Sequence, residues 1–539
     1  MQRDPEVRVL KKIAIRNYRL FRDFTMEFRP GMNILVGDND TGKSTVLEAV
    51  NLALTGRVQS RMLERDLSPY AFNLDVTTDY IEALRAGSNP QPPEMIIDLY
   101  LEATDATSAL KGTNNLSGED ACGLRFRASY NPEFALEYAE FIKKPESIRV
   151  VPSEYYRCEW LGFSGNPVTS RSVPATASLI DASSIRLQSG ADYYLQGIIS
   201  NNLSPTERVE LTRAYRSLRE EFAGNPSITT INTKLKSTPG DVSDRDLTLG
   251  IDISQRASWE STLVPHLDDL PFTFVGKGEQ SSLKILLALN RKVDEAHVIL
   301  VEEPENHLSF SRMNILISKI LNKCQDKQVL ITTHSSYVLN KLGLEQLVLL
   351  TDTGAMRLSG LTPDTQDYFR KLSGYDTLRL ILAQRAILVE GPSDELIVQR
   401  AYKDVHGALP IQKGVDVINV RGLSFRRFLE LAAPLKRQTA VVTDNDGRDP
   451  AAVAASYAEF TAHGFMSVHV GADPMLTTLE PQLLAANDRV TLNAILGKSF
   501  ATDAELVEWM TNNKTTCALA IFESATTINM PEYIRDAVA

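Results

Sequence analysis

Eight consecutive residues, Gly37 to Ser44, read Gly-Asp-Asn-Asp-Thr-Gly-Lys-Ser and form a complete phosphate-binding-loop pattern. They follow a strand-forming run and precede a helical one, which is the context that such a loop requires. Backbone N–H groups and the helix N-terminus would cradle phosphates, Lys43 would reach the β- and γ-phosphate oxygens, and Ser44 would hold Mg²⁺. The nucleotide-binding residues predicted from this pattern are Gly37, Asn39, Gly42, Lys43, Ser44 and Thr45.

Two acids and one histidine follow apolar, strand-forming runs much further along the chain. Glu302 and Glu303 come directly after an apolar run that starts at Val298. In a nucleoside triphosphatase the first acid can take up Mg²⁺ through water, and the second can polarise the attacking water. His334 follows another apolar run, and its position after these acids favours a catalytic role over a structural one.

A second group of acids lies further along, again at the ends of apolar runs. Glu390 ends one such run and Asp394 follows it on the first turn of a predicted helix. Asp444 and Asp446 form an Asp-x-Asp pattern after another run, and alternate residues of an extended tip point the same way. Ligands collect at the carboxyl ends of strands in an open α/β sheet, so we expect these acids to converge. Oxygen ligands without Cys or His favour Mg²⁺ or Mn²⁺.

The elements that must position these residues alternate between strand and helix, which predicts an α/β fold with largely parallel sheets. A second α/β unit begins near Leu380. Between the phosphate-binding loop and Glu302, Ser204-Pro205-Thr206-Glu207 is a capping box that predicts a helix. Leu211, Tyr215, Leu218 and Phe222 follow at helical spacing, so this region is a helical insertion.

Composition narrows the class of protein. The 539 residues predict three or four structural units at about 150 residues each. A net charge of −11 excludes a global positive field that would draw the chain onto nucleic acid or anionic lipid, so a nucleic-acid contact must be local or bridged by metal. The N-terminus lacks an apolar signal region, and no apolar run reaches bilayer length. We expect a cytoplasmic protein with no membrane partner.

The ATPase motifs together resemble the ATP-binding-cassette (ABC) ATPases of the DNA-repair branch, related to RecF and the structural-maintenance-of-chromosomes proteins. The stretch from Ile15 to Phe21 resembles the start of that branch. The resemblance implies that His334 contacts the γ-phosphate and that Lys277 and Gly278 form the signature loop. In a dimer this loop would contact the nucleotide bound to the second copy. Lys277 departs from the serine usual at its position. A transporter is excluded because no membrane domain is present.

The second acidic group resembles a Toprim domain, and an ABC ATPase followed by Toprim resembles the OLD (overcoming lysogenization defect) nuclease family over nearly the whole chain. The resemblance implies that Glu480 completes the metal site and that Lys514 neutralises the phosphate in the transition state. The predicted metal ligands are Ser44, Glu302, Glu390, Asp394, Asp444, Asp446 and Glu480, and the predicted catalytic residues are Glu303, His334 and Lys514. Residues 513–537 resemble the OLD class of Gabija systems.

The fold class expected is α/β, with an ABC-type P-loop ATPase domain that contains a helical dimerisation insertion and is followed by a C-terminal Toprim domain. The predicted boundaries are 1–180 and 256–375 for the two parts of the ATPase, 181–255 for the insertion, and 376–539 for Toprim.

The function expected is an ATP-regulated, metal-dependent DNA endonuclease in antiviral defence, with ATP and Mg²⁺ (or Mn²⁺) as cofactors. The alternative is an ATP-driven DNA-binding repair clamp or scaffold whose Toprim domain does not cut. The expected partners are DNA, further copies in a homodimer or homotetramer, and a UvrD-like helicase or a reverse transcriptase with its DNA product. A basic group near the Toprim strands is open to two interpretations, DNA-backbone contact or a solvated helix face. Its members are Arg421, Arg426, Arg427, Lys436 and Arg437.

Overall fold

The structure is a computed structural model, and it falls into two compact units. The first comprises residues 1–9 and 170–329, and the second comprises residues 10–169 and 330–539. The residues that the structure describes are 9–58, 61–62, 67–170, 172–181, 187–188, 191–192, 203–236, 249, 266–283, 285, 297–306, 308–351, 354–422 and 424–539. Within these ranges no helix is both long and apolar enough to span a bilayer.

The first unit contains a pair of parallel strands, Ala177–Asp181 and Val298–Glu302, in which Asp181 pairs with Glu302. The second strand is buried from Val298 to Val301, which explains its uninterrupted apolar sequence. The helices of this unit that have defined bounds within the described ranges are Pro205–Ala223, Pro226–Lys236 and Phe310–Lys323, and a further helical segment covers 277–283. Its short strands are Leu187–Gln188, Ala191–Asp192, His266–Leu267 and Leu270–Pro271. A further strand, Gln328–Thr332, crosses the boundary between the units.

The helix Pro205–Ala223 begins where the capping box predicts. The Ser204 side chain accepts a hydrogen bond from the Glu207 N–H, and the Glu207 carboxylate accepts one from the Ser204 N–H. None of the helix residues is buried, and Leu218 and Phe222 are 61% and 51% exposed. The predicted insertion is therefore helical from Pro205 to Lys236, after the short strands Leu187–Gln188 and Ala191–Asp192, and the helix Pro205–Ala223 carries an exposed apolar face.

The second unit opens with an antiparallel sheet. Its strands, in spatial order, are Phe21–Glu27, Leu10–Tyr18, Met95–Leu101, Ala121–Tyr130 and Tyr156–Gly162, and Lys111–Gly112 also pairs with Ala121–Tyr130. A parallel group in the same unit contains Met32–Val36, which pairs with Leu347–Thr351. Gly354–Arg357 then pairs with Leu347–Thr351 in the antiparallel sense. The helices of this part are Lys43–Thr55, Leu74–Arg85, Ala135–Phe141, Ser336–Leu342, Pro363–Lys371 and Thr377–Leu382.

The last part of the second unit is a four-stranded parallel sheet. Its strands, in spatial order, are Val415–Asn419, Arg385–Val389, Gln438–Thr443 and Met466–Val470. Arg385–Val389 is central and almost fully buried, because helices cover it. The helices of this part are Pro392–His406, Phe425–Ala432, Pro450–Ala455, Ala458–Thr461, Leu479–Ala486, Arg489–Leu496, Asp503–Asn512, Lys514–Glu523 and Glu532–Val538.

Candidate functional site

The phosphate-binding loop wraps around its own lysine. The helix Lys43–Thr55 starts directly after Gly42, whose φ of 91° is left-handed. A Cβ on Gly42 would lie 2.4 Å from Phe21 Cζ, so only glycine fits at this position. Lys43 Nζ donates to the carbonyl oxygens of Gly37 and Asp38 at 3.0 and 2.8 Å, inside the loop where phosphates would bind. Ser44 is exposed at the helix start, directly after Lys43.

The stretch from Ile15 to Phe21 supports this loop directly. Tyr18 Oη and Arg19 Nη2 each donate to the Glu48 carboxylate at 2.8 Å, on the helix that follows the loop. Phe21 packs against Gly42. The sequence pattern of this stretch therefore has a physical basis, because its side chains fix the first helix against the antiparallel sheet.

His334 lies in the same unit as the phosphate-binding loop. The Thr333 N–H donates to the Leu35 carbonyl at 3.2 Å, so the turn that carries His334 runs beside the strand that leads into the loop. Ser335 caps the next helix by accepting from the Val338 N–H at 3.3 Å. His334 is exposed between the strand end and this cap, where a bound nucleotide could reach it.

Glu302 and Glu303 belong to the first unit, at the end of the strand Val298–Glu302. Glu303 has a φ of 40°, a left-handed conformation that is uncommon for residues other than glycine. Asn306 Nδ2 donates to Glu303 Oε2 at 2.7 Å and fixes the side chain. Strain of this kind accumulates at functional sites.

The signature candidate also lies in the first unit. Gly276 precedes a helical segment at 277–283, and the Gln280 N–H donates to its carbonyl at 3.1 Å. Gln280 Nε2 donates to the Phe272 and Val275 carbonyls at 2.8 and 2.7 Å, which ties the preceding loop to this helix. Lys277 is exposed and Gly278 is half-buried at the helix start. The predicted nucleotide-site residues are thus divided between two units.

Glu390 and Asp444 are adjacent at one edge of the four-stranded parallel sheet. The strands that deliver them pair in parallel, with Val389 beside Val442. Thr443 Oγ1 donates a hydrogen bond to the Glu390 carboxylate. The predicted convergence of these two strand ends is what the register produces.

Asp394 stands on the first turn of the helix Pro392–His406, where its Oδ2 accepts from the Gly391 N–H at 3.1 Å. Burial, and then the negative charge of Glu390, raise the pKa of Asp394 to about 6. Burial, then Asp394 and Glu390, raise the pKa of Asp444 to about 7. These carboxyls repel one another in a half-buried place, which is the situation that a bound cation relieves.

Asp444 is held by two well-directed donors. Its Oδ2 accepts from the Leu479 N–H at 3.1 Å, and its Oδ1 accepts from Tyr533 Oη at 3.2 Å. Gln482 Nε2 lies 3.5 Å from Oδ1, at the limit of hydrogen bonding. The carboxylate therefore has a defined orientation.

Asp446 is placed differently from the expectation of an extended tip. Its φ of 49° is left-handed, so the tip is a turn in which Asp444 and Asp446 are not related by strand alternation. The cause is Asn445, which is fully buried and anchors the turn. The Asp446 carboxylate is exposed and accepts from Arg448 Nη2 at 3.0 Å.

Glu480 and Lys514 meet, although 34 positions separate them in the chain. Lys514 Nζ lies 3.5 Å from Glu480 Oε2, and the two side chains are 46% and 3% exposed. Thr478 Oγ1 also donates to Glu480 at 2.9 Å. Electrostatic coupling joins Glu480 to both Asp394 and Asp444, so these acids belong to one cluster. We call Glu390, Asp394, Asp444 and Glu480, together with Asp446 on the same turn as Asp444, the acidic cluster.

Three family models match the chain. Two are described as AAA domains and match residues 12–131 and 130–340, the second with reference to the AbiEii toxin of Type IV toxin–antitoxin systems. The third is described as the Toprim domain of overcoming lysogenization defect protein-like proteins, and it matches residues 381–446. The chain carries an OLD-like Toprim domain. The predicted fold class, an α/β ATPase followed by Toprim, is confirmed, and so is the resemblance to the OLD family.

Three individual proteins are similar to parts of the chain. Endonuclease GajA of Bacillus cereus is 21% identical over 478 residues, which are 80% of this chain and 74% of that protein. The DNA replication and repair protein RecF of Pediococcus pentosaceus is 22% identical over 65% of this chain and 99% of its own. The solved C-terminal region of the Xanthomonas campestris OLD protein matches 29% of this chain and 93% of its own, with 22% identity and a TM-score of 0.24.

The surroundings of the acidic cluster also include residues that the sequence did not reveal. Asn445 anchors the Asp-x-Asp turn through hydrogen bonds of its side chain. The sequence feature that could have indicated this is an amide side chain between the two acids. Tyr533 contacts Asp444 from 89 positions away, and no local pattern marks it. Gln482 approaches the same carboxylate from the helix Leu479–Ala486.

The chemistry of the acidic cluster fits hard divalent cations. All its donors are carboxylate oxygens, which Mg²⁺ and Mn²⁺ prefer, and burial, followed by the charge of neighbouring carboxylates, raises the pKa of Asp394 and Asp444. Each carboxylate is currently held by a protein donor. Across the part of the chain that the structure describes, no three acidic, histidine or cysteine side chains are close enough as they stand to hold a metal as a group.

The basic residues near the Toprim strands separate into two kinds. Arg426 pairs with Glu459, and Arg427 pairs with Asp364 at 2.7 Å. Arg421 is exposed, lies over the Tyr375 ring at 5.3 Å, and forms no ion pair among the described residues. It adjoins Gly422, whose N–H donates to the Glu390 carbonyl at 2.8 Å, so Arg421 stands beside the acidic cluster.

Proposed function

We propose that this chain is an ATP-regulated DNA endonuclease that depends on a divalent metal, Mg²⁺ or Mn²⁺, and serves as an effector of antiviral defence. The observation that carries the proposal is the acidic cluster at the edge of the OLD-like Toprim sheet, with Lys514 beside Glu480. Similarity to endonuclease GajA over 80% of the chain supports the same reading.

The acids would hold the metal and the lysine would face the substrate. Two bound divalent cations would polarise the scissile phosphodiester and an attacking water, so no nucleophilic side chain is needed. Lys514, which is half-exposed beside the buried Glu480, would neutralise charge that develops on the phosphate. The residues proposed as ligands are Glu390, Asp394, Asp444, Asp446 and Glu480.

The ATPase residues would act in a sandwich of two chains. Lys43 and Ser44 would bind the phosphates and Mg²⁺, with Glu302 supporting the metal through water. Glu303 would orient the water that attacks the γ-phosphate, and its fixed, left-handed backbone supports such a role. His334 would contact the γ-phosphate. Lys277 and Gly278 of one copy would contact the nucleotide that is bound to the other copy.

We propose that the helix Pro205–Ala223 joins copies into a homodimer or homotetramer. Its apolar face, with Leu218 and Phe222 exposed, supports this because exposed apolar stripes on helices mark interaction surfaces. Mass photometry of Leu218→Glu/Phe222→Glu should show smaller particles. A matched control is Leu136→Glu, a change at an 85% exposed leucine outside this helix. Unchanged mass in the double variant would contradict the assignment.

We propose that Arg421 contacts the DNA backbone beside the acidic cluster, because it is the exposed arginine there without an acidic partner. Arg421→Ala should weaken DNA binding and reduce the slope of log affinity against log salt by about one. Arg426→Ala is the matched control, since Glu459 already neutralises that side chain. Equal slopes for all three proteins would contradict the contact.

A second candidate function is an ATP-driven DNA-binding clamp or scaffold whose Toprim domain does not cut. The match to nearly the whole length of a RecF protein favours it. It differs from the endonuclease in one testable respect: substitutions in the acidic cluster would leave its activity intact.

The deciding experiment is cleavage of supercoiled and linear plasmid by the full-length protein with Mg²⁺ or Mn²⁺, with and without ATP. Wild type should cut and Asp444→Ala/Asp446→Ala should not, while both bind DNA. Glu508→Ala, a change at an exposed acid elsewhere in the Toprim domain, is the control and should cut like wild type. Binding without cutting by wild type, also in the presence of a neighbouring helicase or reverse transcriptase, would favour the scaffold.

A further inference from the structure

Among the described residues, Tyr533 is the one side-chain hydroxyl that donates to the Asp444 carboxylate, and it comes from a remote element. It stands on the helix Glu532–Val538, which packs against the helix carrying Asp394 and against the strand that delivers Asp444. The Leu479 N–H binds the other oxygen of the same carboxylate. With one donor on each oxygen, rotation of the Asp444 carboxylate is restricted.

The tyrosine is itself immobile. It is 7% exposed, and Ile534, Ala537 and Val538 on the same helix are almost fully buried in the Toprim core. Arg385 donates to the Ala537 carbonyl at 2.9 Å, and His406 binds the Val538 carbonyl at 2.7 Å, which fixes the helix to the central strand and the first helix of the domain. The direction of the Tyr533 O–H is therefore set by core packing.

The hydrogen bond gives this hydroxyl a single role. A carboxylate oxygen only accepts, so Tyr533 Oη is the donor to Asp444 Oδ1. A metal ligand with a neutral donor on one oxygen keeps its other lone pairs available to a cation.

We propose that Tyr533 is a positioning residue that holds Asp444 in the orientation required to bind the divalent metal, an inference that rests on the proposed function. Its helix would thereby belong to the metal site, although it contributes no ligand. Loss of a side chain that orients a metal ligand lowers metal affinity by roughly 10- to 100-fold.

The test measures Mn²⁺ binding to the full-length protein without DNA. The electron paramagnetic resonance signal of free Mn²⁺ reports how much of the ion remains unbound. The difference between wild type and Asp444→Asn defines the site. Tyr533→Phe keeps the ring and removes the hydroxyl, and we expect its Mn²⁺ affinity at this site to fall about tenfold. Its cleavage rate should return to near the wild-type maximum at saturating Mn²⁺, because the ligand itself is retained.

The control is Tyr402→Phe, which removes a hydroxyl from a 5% exposed tyrosine in the same core whose ring packs on His406. It should leave Mn²⁺ binding unchanged. Melting curves in EDTA exclude misfolding if Tyr533→Phe and Tyr402→Phe unfold as cooperatively as wild type.

Two results would overturn the inference. One is a Tyr533→Phe variant that binds Mn²⁺ as tightly as wild type. The other is a Tyr533→Phe variant whose Mn²⁺ affinity is unchanged but whose cleavage rate stays low at saturating Mn²⁺. The outcomes also separate it from the endonuclease proposal. Mn²⁺ binding that depends on both Asp444 and Tyr533, in a protein that cuts no DNA, would support the positioning role and contradict the nuclease. Mn²⁺ binding that is insensitive to Asp444→Asn would overturn both.

Discussion

The phosphate-binding loop and the acidic cluster are built in opposite ways. The loop forms from eight consecutive residues, and its lysine bonds to carbonyls five and six positions away. The acidic cluster draws side chains from positions 390 to 480, with Lys514 and Tyr533 beyond them. The first site is encoded in backbone conformation, and the second in strand register and helix packing. In the loop, the Lys43 ammonium donates hydrogen bonds to carbonyl groups of the loop itself. In the acidic cluster, several carboxylates lie close together, and burial and their mutual repulsion raise the pKa of Asp444.

Among changes that affect one of the two regions and not the other, Gly42→Ala is expected to have the largest effect. The new Cβ would meet the Phe21 ring at 2.4 Å on a backbone with φ of 91°, so the loop must distort. We expect ATP affinity to fall by roughly 100-fold, about 2.7 kcal/mol, in a fluorescent-nucleotide titration. Metal-dependent cleavage without ATP should survive, because the acidic cluster shares no residue with the loop.

Gly87→Ala is the matched control for this change. Gly87 also has a left-handed backbone, with φ of 78°, but a Cβ there would meet no atom within 4 Å. Its cost is backbone strain alone, of roughly 1 kcal/mol in stability. Normal ATP binding by Gly42→Ala would show that the close approach of Phe21 does not constrain the loop.

The second effect concerns Asn445, the residue between the two acids. Its Nδ2 lies within hydrogen-bond distance of the carbonyls of Gly471, Asp473 and Leu476, and its Oδ1 accepts from the Gly447 N–H. Asn445→Ala leaves these buried groups unpaired, so we expect roughly 2–3 kcal/mol of lost stability in urea unfolding, together with lost cleavage. Asn487→Ala, a change at a half-exposed asparagine that bonds to two carbonyls, is the comparison. Equal stability losses would contradict a special role for the Asp-x-Asp turn.

The difference between the two regions also explains what the sequence could predict. The loop and the convergence of Glu390 with Asp444 follow from local patterns, since parallel strands bring their ends to one edge. The turn at Asp446 and the contact from Tyr533 could not be predicted, because they depend on how a buried amide and a distant helix pack. The roles of Glu480 and Lys514 are predicted only from the family resemblance, and their contact was not predicted. The predicted roles of the site residues and the four predicted domain ranges remain predictions.

The smallest effect tests the charge accumulated in the acidic cluster. The pKa of Asp444 is about 7 in the folded chain against 3.8 ordinarily, so between pH 4 and 7 the folded state binds more protons than the unfolded one. Stability must therefore fall as pH rises through this range and stay lower above it. Asp444→Asn removes the penalty, and we expect the metal-free variant to be more stable by roughly 1–2 kcal/mol at pH 8, with the difference vanishing near pH 4.

Thermal unfolding in EDTA at several pH values measures this difference, with Glu508→Gln as a control at an exposed acid. Added Mn²⁺ should stabilise wild type and not Asp444→Asn, because the cation compensates the repulsion that the substitution has already removed. A variant that is less stable than wild type at pH 8 would show that the donors from Leu479 and Tyr533 outweigh the repulsion. The acidic cluster would then resemble the phosphate-binding loop, because hydrogen bonds from the protein itself would stabilise its charge without a bound ligand.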